Sequence, residues 1–169
     1  MKIKKEIRVF FAFLFAAGLL FSVIHVNIAS AAQSSNRSKS NEQLLEETKQ
    51  DASEGKVINS RFGIGSEKDA ITNEYGKPGP KSTSDFLDYP KRHVSFELEN
   101  KRVVWIITKD PNLLKVKQSE VEKVFGEPDH VGIAAGHVYW NYKIGNYEVI
   151  FNWQNVDPDV GKLLDVTVR

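Results

Sequence analysis

Histidine is the commonest metal ligand and general base, and the chain carries four: His25, His93, His130 and His137. His25 lies in an N-terminal apolar run. His93 opens a strand-like run after "YPKR". His130 and His137 flank "VGIAAG", which reads as a loop between a helix and a strand. No two of them stand at i, i+4 and no H-E-x-x-H occurs, so surface histidines are expected rather than a zinc site. The chain has no cysteine, which removes thiolate ligands, disulfides, a cysteine nucleophile and lipid attachment through a thiol. G-x-S-x-G is absent; Ser84, Ser95 and Ser119 fall in a loop, a strand and a helix start.

Carboxylates are plentiful. Asp69, Asp85, Asp88, Glu97, Glu99 and Glu148 can pair across a sheet for acid–base work, although a solvated sheet face explains them as well. Asp157–Asp159 reads "DPD" but lacks the spaced oxygen ligands of a calcium loop, so a turn is expected. Lys77, Lys81, Lys91, Arg92, Lys101 and Arg102 gather in and around one hairpin. That cluster can meet an anionic wall polymer, or form a mixed-charge surface with Asp85, Asp88, Glu97 and Glu99. No catalytic residue, cofactor or metal is expected. The formal net charge is +1, and Lys2, Lys4, Lys5 and Arg8 against Glu6 place +3 of it in the first 31 residues. The rest carries −2, which argues against a nucleic-acid partner.

Aromatic residues hold the strongest hint of binding. They need elements to present them, and the elements are legible from periodicity. "MKIKKEIR", the apolar run Val9–Ala29 and the small residues Ala29 and Ala31 form a signal peptide over 1–31, cleaved after Ala31 or Ala32. Were it uncleaved, it would anchor the chain in a membrane. Residues 32–56 read as a flexible linker with a short helix over Asn41–Ala52, capped by Asn41 and held only by Leu44 and Leu45. The domain proper is expected over 57–169.

Inside it, "SEKDAITNEYG" reads as a helix capped by Ser66, and "KQSEVEKVFG" as a second. Gly76 and Gly126 stop them at positive φ, and Pro78 and Pro128 forbid continuation. A phosphate loop needs its glycine before a helix, and here glycine follows. Three strand-like runs come after each stop: "DFLDY", "HVSFELEN" and "RVVWIIT", then "HVYWNY", "NYEVIFNW" and "LLDVTV". Val94, Phe96 and Leu98 alternate with polar residues, as do Tyr147, Val149, Phe151 and Trp153. The expected fold is α+β: a tandem repeat (57–110 and 111–169) of helix plus three antiparallel strands, helices packed on one face of the sheet. His137, Tyr139, Ile150 and one of Trp105 or Ile106 then fall on the open face, which suits protein binding. The N-terminal segment or the insert "QNVDPDVGK" would otherwise cover them.

"YGKP", "FGEP" and "VYWNYKIGNYEVIF" (Val138–Phe151) resemble the YjgB-like family of exported Bacillus proteins over about residues 57–169. Lys117 departs from the pattern, standing where relatives often carry a capping threonine. More distantly, helix–glycine–proline–hairpin units resemble the β-lactamase inhibitor protein and the small lipoproteins of the outer-membrane barrel-assembly machinery. Those relatives bind and do not catalyse. The expectation is a secreted or cell-surface binding module that is not an enzyme, with an extracellular or cell-surface protein as partner, using Trp105, His137, Tyr139 and Ile150. Its rivals are an extracellular hydrolase with a carboxylate site between the repeats and a wall-associated structural protein.

Overall fold

The computed structural model describes residues 39–154 and 161–169. The expected signal peptide, His25 and the "DPD" turn lie outside the described residues. Helix α1 spans Asn41–Ser53. Its cap is Ser40, not Asn41. Gln43 N–H donates to Ser40 Oγ at 3.2 Å, and Ser40 N–H donates back to Gln43 Oε1 at 3.1 Å, a reciprocal capping box. Leu44 and Leu45 are 5% and 0% exposed, with Thr48 and Ala52 buried on the same stripe.

Residues 41–53 are therefore a docked helix where a weakly held one in a flexible linker was expected. The stripe looks thin in sequence because threonine and alanine finish it. Asn41 Nδ2 donates to both carboxylate oxygens of Glu120 at 3.0 Å, and Lys49 Nζ donates to Val124 O at 2.9 Å. Lys49 thereby takes up a carbonyl at the end of helix α3 (Gln118–Phe125).

Helix α2 covers Lys68–Tyr75 and has no side-chain cap. Ser66, the expected cap, turns away and accepts Gly63 N–H at 3.1 Å. The hairpin turn serves instead: Lys68 N–H donates to Lys101 O at 2.9 Å. In α3, Lys117 N–H donates to the Glu120 carboxylate at 2.8 Å, which supplies what a lysine cap cannot. Both helices stop at glycine, with φ 80° and ψ −160° at Gly76 and φ 84° and ψ −165° at Gly126.

Seven strands follow: β1 (Phe86–Tyr89), β2 (Val94–Glu99), β3 (Arg102–Thr108), β4 (His130–Ala134), β5 (His137–Ile144), β6 (Tyr147–Gln154) and β7 (Lys162–Val168). They form one antiparallel sheet in the order β1-β2-β3-β7-β6-β5-β4. The fold is α+β as expected, with α1 packed into the domain and one strand more than the six expected. β4 replaces the expected loop after α3 and turns into β5 through Ala135 (φ 51°) and Gly136 (φ 79°). Its sequence carries no burial pattern, because among the described residues nothing covers its apolar side chains: Val131 and Ile133 are exposed on the sheet's edge. The stretch between α2 and β1 has Pro78 and Pro80, which cannot donate to a ladder, and Gly79 N–H makes a single contact with Asp88 O at 2.7 Å.

Two β-bulges decide which side chains reach which face. Glu97 pairs with Trp105 and Leu98 with Val103, so Val104 is the extra residue. Val103 and Ile106 both enter the core, and Trp105 goes to the opposite face. β7 does the same. Asn152 pairs with Asp165 and Trp153 with Leu163, leaving Leu164 as the extra residue. The core is one cluster, with Leu45, Ile71 and Val121 from the helices and Phe96, Ile106, Phe151 and Trp153 from the sheet. Helices α1 to α3 therefore back the same face.

Candidate functional site

On the other face, cross-strand register brings the expected residues together. Tyr139 stands opposite Asn152, which stands opposite Asp165; Asn141 stands opposite Ile150, which stands opposite Thr167. With Trp105 and Arg169 these six line a groove of about 240 Å³. The bulge in β3 chooses Trp105 over Ile106 for this face. The four candidates play different parts. Trp105 and Tyr139 are half-buried walls, whereas Ile150 is 9% exposed and forms the floor, too deep to act as a protruding anchor. His137 lies beside Tyr139, with ring centroids 6.2 Å apart and planes at 28°.

A polar network holds the groove in shape. His137 Nδ1 lies 3.0 Å from Asn152 Oδ1. That oxygen can only accept, so Nδ1 carries the proton. Asn152 Nδ2 then donates to Asp165 Oδ2 at 3.2 Å. Across the floor, Asn141 Nδ2 donates to Glu148 Oε1 at 2.8 Å, and Arg169 Nε donates to Glu148 Oε2 at 2.6 Å. The Arg169 guanidinium sits 4.9 Å from the centre of the Trp105 ring and braces that wall. Asn141 Oδ1 is buried without a hydrogen-bond partner among the described residues. A polar, braced groove between two aromatic walls can take a partner's side chain and satisfy its polar atoms.

Burial raises the Asp165 carboxyl above its usual range, against the opposing pull of Asn152, Lys109 and His137. The folded state thus disfavours the carboxylate. The sign follows from linkage: the penalty is full above the raised folded value and vanishes below the unfolded value of about 4. Asp165→Asn is expected to melt higher than wild type at pH 7, with the gap closing toward pH 4 as measured by thermal melts across that range. A gap that widens on acidification would contradict this reading of the network.

The other expected groups are dispersed. Asp88 accepts from Ser95 Oγ and Asp85 from Ser84 Oγ, each at 2.9 Å, and Glu148 is held by Arg169. None of the six candidate carboxylates is hydrogen-bonded to another. His93 and His130 are exposed, and among the described residues no three His, Asp or Glu side chains converge.

The basic cluster divides. Arg102 pairs with Glu67 beside the turn that holds Lys101. Lys81 lies by Asp88 and His93. Lys77, Lys91 and Arg92 instead line a separate cleft of about 640 Å³ at the end of α2. Alternation in phase with Tyr139 would have found Asn141 and Asn152; Asp165 is hidden by the bulge, and the sequence groups Lys77 with Arg92 only within the wider basic cluster, without separating them from Lys81, Lys101 and Arg102.

Helices behind and an aromatic, polar front define a small α+β protein built on a one-sided antiparallel sheet. The chain belongs to the family described as "Domain of unknown function (DUF4309)", whose sequence pattern matches residues 45–166. The match begins inside α1, so the family's shared region takes in most of that helix. A solved structure of a DUF4309 family protein (YjgB) from Bacillus subtilis subsp. subtilis str. 168 is similar at a TM-score of 0.63. It is 16% identical, over 76% of this chain and 96% of that one. This bears out the resemblance to the YjgB-like family, and at that identity the likeness shows the fold alone. Comparison with curated proteins returned no match. Among the described residues no helix is long and apolar enough to cross a membrane.

Proposed function

We propose that this is an exported binding module, not an enzyme, that takes a protein partner on the open sheet face. The observation that carries the reading is the pairing of Trp105 and Tyr139 as walls of a groove on the face that the helices leave bare. Aromatic side chains presented by a rigid sheet lose little entropy on binding and supply large contact area. The braced polar floor adds orientation. Export is supported by the basic start, the apolar run and the A-x-A site of residues 1–31, and an extracellular or cell-surface protein is the partner that location offers. α1 packs with α3 on the helix side, so it does not compete for the groove.

The test is the double variant Trp105→Ala, Tyr139→Ala in residues 32–169, used as bait against the extracellular and surface fractions. Both side chains lie outside the core, so the fold should melt within a few degrees of wild type. Each anchor is worth about 1–2 kcal/mol, so recovery of the partner should fall at least about tenfold. Equal recovery of the same partner by a folded double variant would contradict the proposal.

A further inference from the structure

The cleft at the end of α2 is separate from the open-face groove. The C-terminus of α2, the loop after it and the 3₁₀ turn Pro90–Arg92 build it. Gly79 makes its floor tight: a β-carbon there would come within 3.0 Å of the Pro90 ring and 3.1 Å of Asp88 O. Tyr75 and Tyr89 meet edge to face at 5.3 Å, and each hydroxyl is engaged. Tyr75 accepts Arg61 N–H at 3.0 Å, and Tyr89 donates to Gly76 O at 3.2 Å.

Lys77, Lys91 and Arg92 reach this cleft, and none has a carboxylate partner among the described residues. Glu74, the acid nearest along α2, is taken by Arg61. The Arg92 guanidinium lies 4.0 Å over the Tyr75 ring, which fixes its plane and leaves its N–H edge free. The carbonyl end of α2 adds about half a negative charge, which three full positive charges outweigh.

We infer that this cleft binds a chain of linked phosphates that carries no nucleobases. Three unpaired cations around one cleft call for a ligand with several negative charges. The volume exceeds what a single phosphate fills. Arg92 presents the fork that matches phosphate oxygens, and the two lysines supply movable point charges for neighbouring units. Bases are not provided for: the Tyr75 face is occupied by Arg92 and Tyr89 is buried, so no ring is left as a stacking platform.

Long-chain polyphosphate is the probe, titrated into residues 32–169 at 50 and 200 mM salt. Orthophosphate, polyglutamate and single-stranded DNA of matched charge run alongside. Polyphosphate should bind and weaken roughly tenfold or more over that salt range, since three contacts give a slope of about −2 in log K against log salt. Lys77→Ala/Lys91→Ala/Arg92→Ala should lose that binding and most of the slope. Lys115→Ala/Lys143→Ala/Lys162→Ala, which removes the same charge from exposed positions elsewhere, should change binding less than about twofold. Should the Arg92 change unfold the protein, Lys77→Gln/Lys91→Gln keeps its stacking and should still cut the slope by about 1.4.

Equal losses in the cleft and control variants would overturn the site. Polyglutamate binding as tightly as polyphosphate would overturn the assignment to phosphate, and tighter binding of DNA would overturn the exclusion of bases. Orthophosphate matching the polymer in affinity would overturn the chain. The open-face test reads different residues, so either proposal can fail alone.

Discussion

Leu45→Ala is expected to lower the stability of the domain by about 3 kcal/mol, or about 10 °C in melting temperature. Leu45 is fully buried among the core residues, although it lies in a segment whose sequence resembles a tether. Truncating it removes three carbons from a packed interior and leaves a cavity that a docked helix cannot close. Glu46→Ala, one residue on and exposed, should stay within about 0.5 kcal/mol. Urea unfolding of both variants measures the difference. A loss under 1 kcal/mol for Leu45 would mean that α1 does not belong to the core and that the domain begins near Val57 after all.

Gly126→Ala should cost about 2 kcal/mol, and Gly76→Ala a similar amount. Both residues combine positive φ with fully extended ψ, a region essentially closed to residues with a β-carbon. A β-carbon at either position would meet nothing within 4 Å, so the cost comes from the backbone and not from a clash. Gly132→Ala is the comparison, because Gly132 has no positive φ and its nearest neighbour would be the Tyr139 β-carbon at 3.8 Å. It should change stability by less than about 0.5 kcal/mol. If alanine at both helix stops is as harmless as at Gly132, the conformational account of "YGKP" and "FGEP" is wrong.

The helix stops and the alternating strands were legible because each has a local cause. Gly76 and Gly126 need a conformation that only glycine adopts cheaply, and Val94, Phe96 and Leu98 alternate because one face of β2 is buried. The bulges were not legible. "RVVWIIT" and "KLLDVTV" are apolar almost throughout, so period alone cannot say which residue is extra; that is settled by pairing with β2 and β6. α1 reads as weakly held in sequence because its stripe ends in Thr48 and Ala52, which bury well only against the neighbour the fold supplies. β4 reads as a loop in sequence because an edge strand exposed among the described residues leaves no buried face to detect.

The site divided along the same line. His137, Tyr139 and Ile150 followed from alternation within one or two strands. The Asn152–Asp165 contact and the Arg169 brace on Trp105 join strands whose pairing the sequence does not print. The Lys77–Arg92 cleft depends on a helix end meeting a 3₁₀ turn.

The central claim is that the open face is the working surface, and side-chain footprinting reads it most directly. Hydroxyl radicals oxidise accessible tryptophan and tyrosine, so Trp105 and Tyr139 in the free domain should react while the core residue Trp153 does not. In the purified complex with the protein that the open-face bait recovers, oxidation of Trp105 and Tyr139 should fall severalfold. Tyr75, on the opposite side of the sheet, should be unchanged. Protection of Tyr75 with Trp105 and Tyr139 still reactive would contradict the account.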